Sequence, residues 1–101
     1  MIVIAGSARL LASEVEEARR AGSVMAATSR EEPGCLDYRF AVDIDDPLVV
    51  RIFEQWASAE ALDAHFATPH FQAFADVVLR SVDGATEFTR FEVASAGPLF
   101  G

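Results

Sequence analysis

The two histidines of this chain, His65 and His70, lie five residues apart on either side of Thr68-Pro69. Imidazole transfers protons near neutral pH and is also a common metal ligand. Metal ligands on one helix are typically three or four residues apart, whereas five residues of continuous helix turn two side chains roughly 140° from each other. Pro69 also interrupts the helix. We therefore predict no bound metal and interpret the pair as acid–base or hydrogen-bonding groups.

His65 is the candidate catalytic residue. It follows Leu62 by three positions and precedes Phe66, which places it near the apolar side of a short helix, facing the sheet or a cleft beside it. A half-buried imidazole there can act as acid, base or hydrogen-bond donor. A histidine at the edge of the core, bonded to a backbone carbonyl, explains the same spacing. His70 falls in the first turn of the next helix, where the dipole disfavours a cation, and its side chain is expected to face solvent.

Aromatic side chains are expected around these histidines. Glu54 and Trp56 project from the same face of one predicted strand, Tyr38 comes from its neighbour, and Phe66 and Phe71 come from the helices. Such a group forms either an apolar small-molecule pocket or a plain aromatic core. A carboxylate in an apolar row requires an arginine, a partner subunit or a ligand. We predict an ion pair for Glu54, with Arg39, Arg51 or Arg90 as its partner.

The elements that position these residues follow from hydrophobic periodicity. Period-two alternation and apolar runs predict strands, and the form Ser13-Glu-Val-Glu16 predicts a capping box at the start of a helix. Thr68 as N-cap and Pro69 at the first position predict a helix with a buried stripe of Phe71, Phe74, Ala75, Val78 and Leu79. The predicted strands cover about 2–11, 36–43, 48–57 and 86–94, and the predicted helices cover about 13–31, 58–66 and 68–82.

This order is βαββ(αα)β, which predicts one α+β domain over residues 1–101 with a ferredoxin-like, four-stranded antiparallel sheet and helices on one face. Strands with apolar residues on both faces need a second cover. A second copy's sheet is the natural one, so we predict a homodimer.

Composition restricts the partners. With 51% hydrophobic residues and a net charge of −8, the chain can build a core but repels phosphate backbones and anionic lipid, so neither nucleic acid nor a membrane is expected as a partner. Cys35 is the only cysteine, so a disulfide within the chain is excluded. The first residues are too short and uncharged for a signal peptide, and we expect a cytoplasmic location.

The segment EEPGCLDYRFAVDIDDPLVVRIFEQWASAEALDAHFATPHFQAF, residues 31–74, resembles the antibiotic biosynthesis monooxygenase family of dimeric α+β barrels. The specific matches are a Glu-Pro-Gly-Cys turn, the Glu54-Gln-Trp56-x-Ser58 strand end, and Ala-Leu-x-x-His65 followed by His70-Phe71. The resemblance implies a dimer with its sheets back to back. It also implies oxygenation of phenolic or quinol-type polycyclic substrates by O2 without a cofactor.

By this resemblance, His65 would accept a proton or donate a hydrogen bond. Trp56, Tyr38 and Phe66 would shape the pocket, with Phe71 beside them and with Glu54 and His70 as weaker binding candidates. The haem-degrading branch differs, because Ser7, His65 and Phe74-Ala75 stand where that branch carries Asn, Trp and the haem-ligating His. Haem degradation is therefore not expected. A non-enzymatic dimer that binds a small molecule is the main alternative.

Overall fold

A computed structural model describes residues 1–101. The elements in chain order are β1 (Ile2–Arg9), a 3₁₀ turn (Ala12–Glu14), α1 (Val15–Arg30), β2 (Cys35–Val42), β3 (Val49–Trp56), α2 (Ala59–Phe66), α3 (Pro69–Ser81) and β4 (Glu87–Glu92). The four strands form an antiparallel sheet in the order β2-β3-β1-β4. The helices pack on one face. The predicted ferredoxin-like α+β fold is thus confirmed.

Strand register determines which side chains meet beneath the helices. Glu54 pairs with Tyr38 on one side and with Ile4 on the other, and Trp56 pairs in the same way with Ile2. Because alternate residues of a strand face the same side, these side chains share the helix-facing surface. The buried apolar core consists of Ile2, Met25, Ala26, Tyr38, Trp56 and Leu62.

The helix starts differ in how well their caps were predicted. Ser58 accepts a hydrogen bond from the amide of Ala61 at 3.1 Å, and Thr68 accepts one from the amide of Phe71 at 3.2 Å, as expected. The prediction of a capping box at Ser13 was wrong, because no side chain caps α1. The 3₁₀ turn includes Ser13, so this residue lies inside a turn instead of at the N-cap.

The apolar stripe of α3 is also narrower than predicted. Leu79 is 82% exposed, whereas Ser81 is buried. Phe74, Val78 and Ser81 follow the spacing i, i+4, i+7 and form one row on the inner side of the helix. Leu79 lies about 100° around the axis from Val78 and therefore reaches solvent.

The sheet face away from the helices is uncovered. All six residues of β4 are exposed, and two large aromatic residues, Phe53 and Phe91, are 41% and 48% exposed. Phe53 pairs with Ala5, and Phe91 pairs with Val3, so all four side chains share this surface. The predicted cover by a second copy stays a prediction. No helix is both long and apolar enough to cross a membrane.

Candidate active site

His65 lies at the centre of an aromatic cage. Its side chain is completely buried, and its ring centroid lies 4.7 Å from that of Trp56, 5.5 Å from that of Tyr38 and 5.3 Å from that of Phe71. Phe66 closes another side at 5.8 Å. The cap of α2 and the register of β2 and β3 bring these residues together. The structure therefore unites the predicted aromatic group around the predicted histidine.

A carboxylate that was not predicted as a site residue joins the two histidines. Oε2 of Glu32 lies 2.7 Å from Nδ1 of His65 and 2.8 Å from Nε2 of His70. Glu32 belongs to the turn between α1 and β2, and the only sequence signal for it was its place in the Glu-Pro-Gly-Cys match. The expectation that His70 faces solvent was wrong, because its side chain is only 23% exposed and turns back toward Glu32.

The hydrogen bonds define the state of the His65 ring. Nδ1 carries the proton donated to Glu32, because a carboxylate only accepts. Burial lowers the pKa of His65, while the bond to Glu32 opposes this shift. Nε2 is buried without a hydrogen-bond partner. A neutral ring with a fixed Nδ1–H therefore holds a free, basic lone pair on Nε2.

The same three residues offer a set of metal-ligand atoms. The imidazole nitrogens of His65 and His70 and a carboxylate oxygen of Glu32 all lie within 4.8 Å of one another. Two nitrogens and one oxygen suit zinc or iron. The argument from helix spacing was wrong about this geometry, because the bend at Thr68-Pro69 turns both rings toward one carboxylate. The absence of a metal stays a prediction.

Glu54 has a different partner from the one predicted. It is buried, and Oε1 accepts a hydrogen bond from Nε1 of Trp56 at 2.9 Å. No arginine pairs with it, since Arg39 bonds Asp37 and Arg51 bonds Asp43, while Arg90 on exposed β4 forms no ion pair. Burial raises the pKa of Glu54 to about 7, the Trp56 bond lowers it, and the charge of Glu32 raises it further. The predicted ion pair was therefore wrong.

The remaining predicted site residues, Tyr38, Phe71 and Phe66, differ in how deeply they are buried. Tyr38 is buried, and burial together with the charge of Glu54 raises its pKa. Phe71 lies inside the cage and packs against the core. Phe66 contacts Phe71 at a centroid distance of 5.1 Å, but part of its ring reaches solvent. The phenol of Tyr38 thus remains protonated at neutral pH, and Phe66 forms the outer wall.

The main cavity of the protein lies beside this cage, between α1, α3 and the sheet. It holds about 450 Å³ and has a largely apolar lining that includes Phe40, Ile52, Phe74 and Phe88. None of the predicted site residues lines it. Phe40 separates the two spaces, with its ring 5.7 Å from that of Tyr38 and 5.4 Å from that of Phe74.

Small residues create this space. Ala18, Gly22 and Ala26 line the cavity from one stripe of α1, and a Cβ on Gly22 would lie 3.4 Å from the Phe40 ring. A Cβ on Gly6 of β1 would lie 2.3 Å from Phe88, so this glycine lets the Phe88 ring reach across the strand. A run of small residues on a core-facing helix stripe was the available sequence signal for the cavity.

The sequence of this chain also matches a known protein family. Residues 1–77 match the model of the family "Antibiotic biosynthesis monooxygenase". The chain belongs to this family. The matched region contains β1 to α3 up to Val77 and includes Glu32, both histidines and the aromatic cage. The family resemblance noted in residues 31–74 is therefore confirmed.

Individual relatives agree in fold. A Deinococcus radiodurans protein assigned to the antibiotic biosynthesis monooxygenases superposes with a TM-score of 0.90 at 25% identity, covering 100% of both chains. A conserved Bacteroides thetaiotaomicron protein of unknown function has a TM-score of 0.84 at 27% identity, covering 91% of this chain and 96% of its own. The uncharacterized protein sll1783 of Synechocystis is 36% identical over 75 residues, which are 74% of this chain. The match spans 51% of that curated relative, about half its length.

Proposed function

We propose that this protein is a monooxygenase that uses O2 to oxidise an electron-rich phenol, hydroquinone or related polycyclic aromatic molecule without a cofactor. One observation carries the proposal. The buried ring of His65 is fixed at Nδ1 by Glu32 and keeps a free lone pair at Nε2. Family membership supports the reaction class.

His65 acts as the general base in this proposal. Glu32 holds the Nδ1–H tautomer and stabilises the imidazolium that forms when Nε2 takes a proton from the substrate. Burial keeps the ring neutral and therefore ready to accept. The aromatic cage also excludes water from the reactive intermediate, which limits side reactions.

The substrate supplies the electrons. For a ring methylene of the anthrone type, His65 removes one proton, and the resulting carbanion reduces O2. One oxygen atom then replaces the two hydrogens as a carbonyl, and the other leaves as water, so that CH2 plus O2 gives C=O plus H2O. The 450 Å³ cavity has room for such a molecule. Because Phe40 and Tyr38 lie between this cavity and His65, their rings would have to move for a substrate to reach Nε2.

One observation favours the non-enzymatic alternative. His65, Trp56 and Tyr38 do not line the cavity, so a ligand held there meets an apolar wall and no base. In that case the Glu32–His65 bond supports the core, and the protein is a small-molecule-binding dimer. The two readings differ in whether bound ligand is consumed.

Oxygen uptake by purified, chelator-treated protein with a panel of hydroquinones and anthrones tests the proposal. Turnover is expected in the native protein, and His65→Gln should lower it about 10²- to 10⁴-fold, the usual loss when a general base is removed. Glu32→Gln should lower turnover in the same direction, because the ring loses its charged partner. Thermal unfolding must show that both variants remain folded.

His70→Gln is the matched control. His70 bonds the same oxygen of Glu32 but lies outside the proposed proton transfer, so most of the turnover should remain. Equal loss in His65→Gln and His70→Gln, together with loss of activity after chelation, would instead show that the three residues act as a metal site. Full activity in His65→Gln would show that His65 is not the general base. Ligand binding without any oxygen uptake would show that the protein is the non-enzymatic binding protein.

A further inference from the structure

The main cavity has an unusual charge pattern for this protein. Sixteen acidic residues give the chain its net charge of −8, yet none of them lines the cavity. Three of the eight basic residues do line it, namely Arg19, Arg30 and Arg39. The cavity is therefore a cationic, apolar space within an acidic protein.

Two of these arginines are not neutralised by a carboxylate. Arg9, Arg39, Arg51 and Arg80 form ion pairs, whereas Arg19 and Arg30 form none. Arg30 donates to the carbonyl oxygen of Tyr38 at 2.8 Å, which commits part of its guanidinium. The side chain of Arg19 makes no hydrogen bond within the chain, so all the donors of its guanidinium are available to a ligand.

A buried hydroxyl also belongs to the residues that line the cavity. Ser81 is only 1% exposed, lines the cavity and has no hydrogen-bond partner for its Oγ. Arg19 follows Glu17 by two positions and Ser81 follows Arg80, so the ion pair between Glu17 and Arg80 brings the stretches of α1 and α3 that carry Arg19 and Ser81 close together. A buried hydroxyl without a partner is costly, and a polar ligand atom would satisfy it.

We propose that the cavity selects aromatic molecules that carry an anionic group, such as an aromatic carboxylate, with the anion at the end formed by Arg19 and Ser81. The apolar wall holds the ring system, and Arg19 attracts the anion. A small shift of the lining side chains, required because Ser81 Oγ has almost no exposed surface, lets this hydroxyl donate to one oxygen of the anion. This inference deepens the proposed function and rests on it for the claim that the bound molecule is a substrate.

Binding of two matched probes tests the inference without turnover. Naphthalene carboxylate and naphthalene carboxamide have nearly the same shape and differ in charge, and calorimetric titration under anaerobic conditions measures both. The carboxylate should bind about fivefold more tightly, the scale of one partly exposed ion pair. Added salt should reduce this preference, because salt screens exposed charges.

Variants assign the preference to its residues. Arg19→Gln should abolish the preference while leaving carboxamide affinity nearly unchanged, and Ser81→Ala should weaken carboxylate binding with the fold intact. Arg20→Gln is the control, since Arg20 is the neighbour of Arg19 and is exposed like it, but forms no ion pair and does not line the cavity. It should keep the preference.

The outcomes separate this inference from the proposed function. Equal affinities for both probes, no binding of either, or the same loss in Arg20→Gln as in Arg19→Gln would overturn the anionic selectivity. A carboxylate preference that depends on Arg19, found in a protein without oxygen uptake, would support the selectivity and reject the monooxygenase. Oxygen uptake with neutral substrates, without any preference for the carboxylate probe, would support the monooxygenase and reject the anionic selectivity.

Discussion

At the residue scale, Glu54 and His65 are buried ionisable groups that favour their neutral forms. Glu54 bonds only the indole of Trp56 and has no cationic partner, so burial raises its pKa from 4.5 to about 7. Burial lowers the pKa of His65. Just below pH 7, where protonated Glu54 predominates, an uncharged carboxyl and an uncharged imidazole therefore lie in one core, which suits an apolar substrate.

The raised pKa of Glu54 predicts a stability that depends on pH. The folded state binds the proton more tightly than the unfolded state, so this contribution is complete below pH 4.5 and is lost as pH rises to about 7. The shift corresponds to on the order of 3 kcal/mol of unfolding free energy. Denaturant unfolding from pH 4 to 8 should therefore show that Glu54→Gln gains stability over the native protein as pH rises.

Glu60→Gln is the control for this series, because it makes the same substitution at an exposed position of α2, outside the core. His65 acts in the opposite direction, since its lowered pKa removes stability as pH falls below 6.5. At each pH, the free energy of unfolding of each variant must therefore be compared with that of the native protein. If the unfolding free energies of Glu54→Gln and the native protein differed by the same amount at every pH from 4 to 8, the prediction would be contradicted.

At the element scale, Thr68 joins α2 to α3. Its hydroxyl donates to the carbonyl oxygen of His65 at 2.7 Å and accepts from the amide of Phe71 at 3.2 Å. One side chain therefore completes the end of the first helix and the start of the second. Because His65 and His70 lie on opposite sides of this junction, its angle sets their positions relative to Glu32.

Thr68→Ala should reduce both stability and turnover. Loss of the cap typically costs about 1 kcal/mol of unfolding free energy, and loss of the second bond adds to it. Ser58→Ala is the matched control, since it removes the cap of α2 without affecting the junction. Thermal unfolding should show destabilisation in both variants, larger in Thr68→Ala because it loses two bonds, and oxygen uptake should show reduced turnover only in Thr68→Ala. Equal turnover in the two variants would show that the junction angle does not matter.

At the scale of the whole molecule, the uncovered sheet face exposes large apolar side chains to solvent. Phe53 and Phe91 project from it between aliphatic neighbours on β1, while the helices cover the other face. Proteins of this family are commonly dimeric. Back-to-back packing of two sheets would remove these rings from water.

Phe53→Asp should therefore convert a dimer into a monomer. A carboxylate in the centre of an apolar interface costs several kcal/mol of association free energy unless it is paired. Leu79→Asp is the control, because Leu79 is an exposed apolar residue on α3 and lies away from this face. Sedimentation at micromolar concentration should show a monomer only for Phe53→Asp. A native protein that sediments as a monomer would contradict the dimer itself.

The sequence by itself determined the elements and most of the faces they bury, apart from the edge of the α3 stripe, where Leu79 is exposed and Ser81 is buried. Alternation in residues 36–43 and 48–57 predicted β2 and β3, and Thr68-Pro69 predicted the start of α3. It also placed His65 on an inward face next to Trp56 and Tyr38. These are local properties, because the period of a side-chain pattern follows from the geometry of a single strand or helix.

Tertiary structure alone decided which distant residues meet. Glu32 reaches His65 across 33 positions of sequence because a turn, a helix end and a helix start converge there. The cavity beside Phe40 exists because small residues of α1 face α3 and the sheet across it, and Ser81 becomes buried through that same packing. No periodicity within one element encodes such distances, since each depends on how several elements pack together, and packing is a property of the whole chain.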